Sequence, residues 1–301
     1  MRSKFVDILT PIAKKKKKII FMTADLGFNA LEKLATAIDE RFINAGVAEQ
    51  NMMTVAAGLA SLGFQVWVYS IAPFVTIKTL EEIKLDICLE NLDVKIVGIG
   101  GGFDYEVAGV THHATEDVGT LLTLPNMKIY TPAFAEDLFF VVKKMVDNRG
   151  PAYLRLTKLR KMVLNFAGYG NSRRLLKGKK ITLVALGSII DQAAEAGLKL
   201  NQEKNNTDLW VISELPIKLP KELINSLNQT KHLAVVEEHV LAGGLGQYLS
   251  QIILTNRISI KNFTHFYIKD NLSNKTGSRD YYLKKNGLDS KTIIKKLSQF
   301  I

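Results

Sequence analysis

Strand-length apolar runs alternate with helical patterns through most of this chain, and the alternation restarts once. In the first half, runs at Ile19–Ala24, Phe42–Val47, Gln65–Ile71, Val94–Ile99, Met127–Tyr130 and Ala152–Leu156 are separated by helical patterns at Glu49–Leu62, Val75–Glu90 and Glu136–Val146. Strands joined through helices make crossover connections, which predicts a mostly parallel sheet with helices on both faces. From Lys161 to Lys180 the chain mixes Gly, Asn, Ser, Arg and Lys, the composition of a connecting segment. Beyond it, strands at Ile181–Leu186, Leu209–Ser213, Leu233–Val236 and Phe263–Ile268 alternate with helices near Asp191–Asn201, Lys221–Asn228 and Leu245–Leu254. The expected fold class is α/β, two doubly wound sheets in domains at 1–165 and 181–301 joined by a linker at 166–180.

A chain of 301 residues with 47% hydrophobic and 23% charged positions can bury cores for two such units. No apolar run approaches the roughly 18 residues of a membrane span. The N-terminus lacks the order of charge, apolar stretch and cleavage site that marks a signal peptide, so a cytoplasmic location is expected. The single cysteine, Cys88, lies in an apolar helical pattern and reads as a packed thiol. Net charge is +11, yet residues 1–150 carry 16 basic against 18 acidic side chains and the remainder 24 against 11. The basic residues are scattered, without interleaved aromatics, which argues against nucleic acid as partner. The Lys14–Lys18 run reads as a solvated helix end or loop before the first strand.

Chemistry concentrates in two places. Between the run Arg41–Val47 and a helix rich in Ala and Gly stands Glu49, either a charge favoured at a helix start or a buried acid. The second place is the loop from Gly98 to Asp117, which follows a strand and precedes a helix, where open α/β sheets place ligands. Its glycines suit either a close backbone approach to a ligand or a plain connection with Thr115 capping the next helix. The glycine spacing is wrong for a dinucleotide site. His112 and His113 are adjacent and lack a third ligand nearby, so no metal centre is expected.

The run GVAEQNMMTVAAGLASLG, ending at Gly63, resembles the pyrimidine-domain signature of transketolase and deoxyxylulose-phosphate synthase, which are thiamine diphosphate enzymes. The resemblance implies that Glu49 lies in a low-dielectric pocket, hydrogen-bonds the cofactor's aminopyrimidine and protonates its ring nitrogen. Phe74 falls where the family's aromatic stacks on that ring; on local grounds alone it reads rather as a core aromatic at a helix start, and its position after the Glu49 segment makes the functional reading competitive. The segment THHATEDVGTLLTLPNMKIYTP resembles the one whose histidine lies over the reacting end of the cofactor, which implies that His112 binds substrate oxygens or relays protons, with His113 beside it. Sugar-phosphate transketolases carry a histidine where Gly100 stands and an aspartate where Ala108 stands, both contacting the sugar, so this chain departs from the family at its substrate end. Three basic residues are candidates for a substrate phosphate: Arg2, Arg155 and Lys158. Arg155 alternates with apolar neighbours on a strand and is the preferred one; Arg2 and Lys158 read also as surface charge.

The segments Ala234–Gly246 and Thr276–Asp289 resemble the family's C-terminal domain, with glycines for turns and close packing and His239 as a structural or interface residue. The Gly-Asp-Gly…Asn pattern that would hold Mg²⁺ and the cofactor's diphosphate does not occur in the sequence. The resemblance therefore implies the C-terminal subunit of a split transketolase-like enzyme. A separate N-terminal subunit would hold most of the thiamine diphosphate and Mg²⁺ in an α₂β₂ assembly, and a two-carbon ketol unit would pass from a ketose to an aldehyde. The alternatives are the β subunit of a 2-oxoacid dehydrogenase and an inactive interaction subunit.

Overall fold

The computed structural model describes residues 1–166, 168–202, 206–272 and 275–301. Ala167, within the expected linker, lies outside them. The strands are β1 (Ile19–Thr23), β2 (Phe42–Asn44), β3 (Gln65–Ile71), β4 (Val94–Ile99), β5 (Lys128–Tyr130), β6 (Ala152–Leu156), β7 (Ser172–Leu176), β8 (Ile181–Leu186), β9 (Thr207–Ile212), β10 (Glu214–Leu215), β11 (His232–Val240) and β12 (Asn262–Ile268). They form a seven-stranded sheet, β10-β5-β6-β4-β3-β1-β2, and a five-stranded sheet, β12-β11-β8-β9-β7. Every pairing is parallel except the edge pairs β10 with β5 and β7 with β9. β1, β3, β4 and β6 are buried along their whole length, as parallel strands covered on both faces should be.

Two strands fall outside the sequence reading. β7 lies inside the stretch expected to link the domains and pairs antiparallel with β9, so the second sheet begins earlier than position 181. Its Arg173 and Arg174 disguise it as loop, but Arg173 pairs with Asp137 at 2.8 Å and Arg174 with Asp208 at 3.1 Å. β10 follows β9 directly yet pairs with β5 of the first sheet. Helices at Arg2–Lys15, Glu32–Ile38, Arg279–Asn286 and Ser290–Leu297 also fall outside that reading. The first contains Pro11 and ends in the lysine run, both of which obscure its period.

The two sheets share one interior. Val118, Leu121 and Ile129 of the first unit pack in the same core as Val184, Trp210 and Leu245 of the second. Polar contacts cross the same boundary: Phe103 N–H donates to Glu238 at 2.8 Å, Gly119 N–H to His239 Nε2 at 3.0 Å, and Val240 N–H to the Thr115 carbonyl at 3.0 Å. Cys88 is buried, and burial pushes its thiol up to about 12, in keeping with a packing role.

Candidate active site

The loops that leave the carboxyl ends of β2, β3, β4 and β6 meet at one edge of the first sheet, the edge at which parallel sheets bind ligands. After β2, Gly46 turns the chain at φ +71° and the helix Glu49–Ser61 begins. Its Met52, Met53, Ala56, Ala57 and Ala60 are buried, so the small side chains bring the helix close onto the sheet and carry Glu49 inside. Glu49 is only 2% exposed. Its Oε1 accepts a hydrogen bond from Ser70 at 3.4 Å, and its Oε2 pairs with Lys78 Nζ at 2.7 Å.

Phe74 and Lys78 follow β3 four residues apart, so they project from one side of the turn. Phe74 is half-buried; Lys78 Nζ lies 5.8 Å from its ring centre, and the His112 ring stands edge on to it at 5.3 Å. His112 stands at the end of the loop after β4, whose base is pinned by two hydrogen bonds between Gly102 and Ala114 at 2.8 and 3.0 Å. Its Nδ1 bonds Thr111 Oγ1 at 2.9 Å, and the Tyr105 ring packs against it at 5.5 Å. Glu49, Phe74 and His112 are thus brought into one cluster, joined by Lys78 and bounded by Tyr105. An acid, an aromatic face and an imidazole together can receive a flat, hydrogen-bonding heterocycle beside a group that exchanges protons.

Gly100 explains part of the departure from the sugar-phosphate pattern. It takes φ +79°, and a Cβ built there would lie 2.1 Å from the Tyr105 ring. The Tyr105 ring fills the space a side chain at position 100 would need, and burial holds its phenol up to about 12, so it stays protonated.

Two expected site residues are placed elsewhere. Arg155 is 4% exposed; its Nε donates to Asp117 at 2.8 Å, and its Nη2 to the Ala114 carbonyl at 2.6 Å and the Glu238 carbonyl at 3.2 Å. A guanidinium alternating with apolar neighbours points into the interior, where it must be paired, and Asp117 is that pair. Tyr153 donates to the same carboxylate at 2.6 Å. Arg155 therefore ties the loop after β4 to β11 and does not face the ligand edge as a free phosphate fork. His113 points away from His112. It is 4% exposed, edge on to Phe103 at 5.1 Å and Tyr282 at 4.8 Å, with Nε2 bonded to the Glu106 carbonyl at 3.0 Å. Burial lowers its pKa, which keeps the ring neutral between the domains.

The other two basic candidates, Arg2 and Lys158, line a cavity of about 500 Å³ with Gly100, Tyr105 and Thr157, so Tyr105 stands between this cavity and His112. Lys158 also pairs with Glu106 at 3.3 Å. The site residues that sequence reasoning missed are Lys78, Ser70 and Tyr105. Only Lys78 carried a local signal, its four-residue spacing from Phe74. Thr115 does not cap the helix Asp117–Leu122, whose N-cap is Glu116 with no side-chain bond.

The transketolase pyrimidine binding domain matches residues 1–161, and the transketolase C-terminal domain matches residues 170–289. The chain belongs to the transketolase family, a thiamine diphosphate-dependent family of transferase type. Within it, the chain takes the place of the C-terminal subunit of a split transketolase-like enzyme. It is 30% identical to one subunit of the apulose-4-phosphate transketolase of Phocaeicola vulgatus, covering 86% of this chain and 85% of that one. It is 25% identical to a 6-deoxy-6-sulfo-D-fructose transketolase subunit of a Clostridium species, over 98% and 92% of the two chains. A solved split-gene transketolase, described as an inactive β4 tetramer, superposes with a TM-score of 0.87 at 29% identity over 99% of this chain and 97% of that one. No helix among the described residues is long and apolar enough to cross a membrane.

Proposed function

We propose that this chain acts with a separate diphosphate-binding subunit, as an α₂β₂ assembly, to transfer a two-carbon ketol unit from a ketose to an aldehyde. The observation that carries the reading is the buried Glu49 carboxylate, set beside the half-buried Phe74 ring and His112 at the carboxyl edge of the sheet. The cluster fits an aminopyrimidine: Phe74 offers the stacking face, and the Glu49 carboxylate would exchange a hydrogen bond, and a proton, with a ring nitrogen. When bound, thiamine diphosphate would supply the electron sink that carbon–carbon cleavage beside a ketone requires. His112 would move a proton at the substrate oxygens, its ring held by Thr111, Phe74 and Tyr105.

Mg²⁺ and the diphosphate would be held mainly by the partner, since this sequence lacks their signature. A relative that is itself one subunit of a larger transketolase, and a split-gene relative that is inactive as a β4 tetramer, support that division of labour. Arg2 and Lys158 would meet the anionic end of the sugar from their cavity, a reading supported by relatives named for a phosphorylated and a sulfonated sugar. Tyr105 and Ala108 would replace hydroxyl-binding groups, so an ordinary pentose phosphate would be a poor substrate.

Calorimetry with thiamine diphosphate and Mg²⁺ tests the reading on the chain alone, on the chain with its partner, and on the pair carrying Glu49→Gln. Binding and ketose turnover only in the pair, with turnover reduced at least roughly 100-fold in Glu49→Gln, is the expected result. Absence of binding in every mixture would overturn it in favour of an inactive interaction subunit.

A further inference from the structure

Lys78 reaches both of the groups that would hold the proposed cofactor ring. Its ammonium contacts the Glu49 oxygen at 2.7 Å and lies over the Phe74 ring at 5.8 Å. The pair is lopsided: the Glu49 side chain is 3% exposed and the Lys78 side chain 47%. A buried carboxylate is costly without a partner, whereas a lysine at the surface can leave on its flexible stem with little desolvation to undo.

A second acceptor is within the same short segment. Glu82 follows Lys78 by four residues, and both line one cavity of about 500 Å³ with Gln50 and Ile77. Gln50 donates to Glu82 Oε1 at 3.0 Å, while Glu82 Oε2 is buried without a hydrogen-bond partner. A buried carboxylate oxygen left unpaired, on a residue four positions from a half-exposed lysine and lining the same cavity, is a vacant seat for its ammonium.

We propose that Lys78 is a two-position latch: it neutralises Glu49 while the aminopyrimidine is absent and swings to Glu82 when the ring arrives. The inference rests on reading this cluster as a cofactor site. In the closed position Lys78 keeps the buried acid paired in the unassembled subunit and competes with the cofactor for Glu49 and Phe74. In the open position the Lys78–Glu82 pair offsets the contact that was given up. Lys78 is thus a positioning residue that acts through Glu49.

The latch makes a coupled prediction that a plain surface ion pair does not. Thiamine diphosphate affinity, with Mg²⁺, is measured by calorimetry on the assembled pair in four forms: unchanged, Lys78→Met, Glu82→Gln and the double variant. Lys78→Met should bind roughly 2- to 5-fold tighter, the upper part of the range for losing a partly exposed competing ion pair. Glu82→Gln keeps the acceptor for Gln50 but removes the second seat, and should bind several-fold weaker. In the Lys78→Met background the Glu82 change should have no effect, the signature of coupled sites. Lys78→Arg, which preserves the charge, should track the unchanged pair and so separates charge from packing.

Unchanged or weaker binding by Lys78→Met would overturn the latch, as would a Glu82→Gln effect that persists without Lys78. In either case, binding by the unchanged pair leaves the cofactor reading standing. Failure of the unchanged pair to bind would overturn both.

Discussion

Arg155 and His113 show how one side chain's surroundings decide its role. Arg155 is paired inside the protein with Asp117, and removing only one partner leaves a buried charge out of reach of solvent. Arg155→Met should lower unfolding free energy by about 3–5 kcal/mol, read from urea denaturation of the chain, and the Arg155→Met/Asp117→Leu pair should recover a substantial part of the loss. Equal losses in the single and double variants would deny the pairing. His113 titrates below its ordinary value of about 6.5 because burial disfavours the charged ring. As pH falls through that value, the unfolded chain takes up a proton that the folded chain refuses, so stability should drop between about pH 7 and pH 5. The urea midpoint followed over that range should slope less steeply in His113→Gln; an unaltered slope would assign the dependence elsewhere, with His232, also lowered by burial, the next residue to replace.

At the scale of elements, the site is an assembly of short loops that only fixed strand ends hold in register. The end of β4, from which the His112 loop leaves, is closely packed. A Cβ at Gly98 would lie 2.8 Å from the Tyr153 hydroxyl and 3.0 Å from the Ala72 Cα, and the latter is backbone at the exit of the neighbouring strand β3. Gly98→Ala must therefore push β4 away from both neighbours. The expected cost is about 1–3 kcal/mol of overpacking, together with weaker cofactor binding by the assembled pair, because the displaced strand carries the His112 loop. Thermal denaturation and calorimetry on the same samples check both effects. A full-strength binding isotherm from a destabilised variant would show that the loop is positioned by the Gly102–Ala114 pairing alone.

At the scale of the whole molecule, the two sheets are fastened into one cooperative body. β10 leaves the second unit to complete the edge of the first sheet, Lys144 pairs with its Glu214 at 2.6 Å, and residues of both units share a core. Glu238 joins them again by accepting from Phe103 and from Arg279, the latter at 2.7 Å, an arrangement that holds this carboxyl below its usual range. Two expectations follow from this fastening. The full chain should unfold in a single transition by circular dichroism and by tryptophan fluorescence, with Trp67 in the first sheet and Trp210 in the second. A fragment ending at position 165 should fail to fold cooperatively, since it loses β10 and half of a shared core. Two separated transitions, or a well-folded fragment, would show that the units are energetically independent.

The local patterns of the chain were sufficient for the parallel strands and the helix that opens at Glu49, whereas the grouping of Glu49, Phe74 and His112 was legible only through the resemblance of short motifs to those of transketolases. Apolar periodicity, small residues on a helix face and short motifs are properties of neighbours along the chain. Tertiary structure alone decided that Arg155 turns to Asp117, that His113 turns from its neighbour toward Tyr282, and that Lys78 reaches Glu49 across the sheet edge. It also decided that two adjacent strands, β9 and β10, belong to different sheets. The partners in each case lie far apart in sequence, and the free energy that selects them is the pairing of buried charge and polar groups. That term has no value until the chain has closed around it.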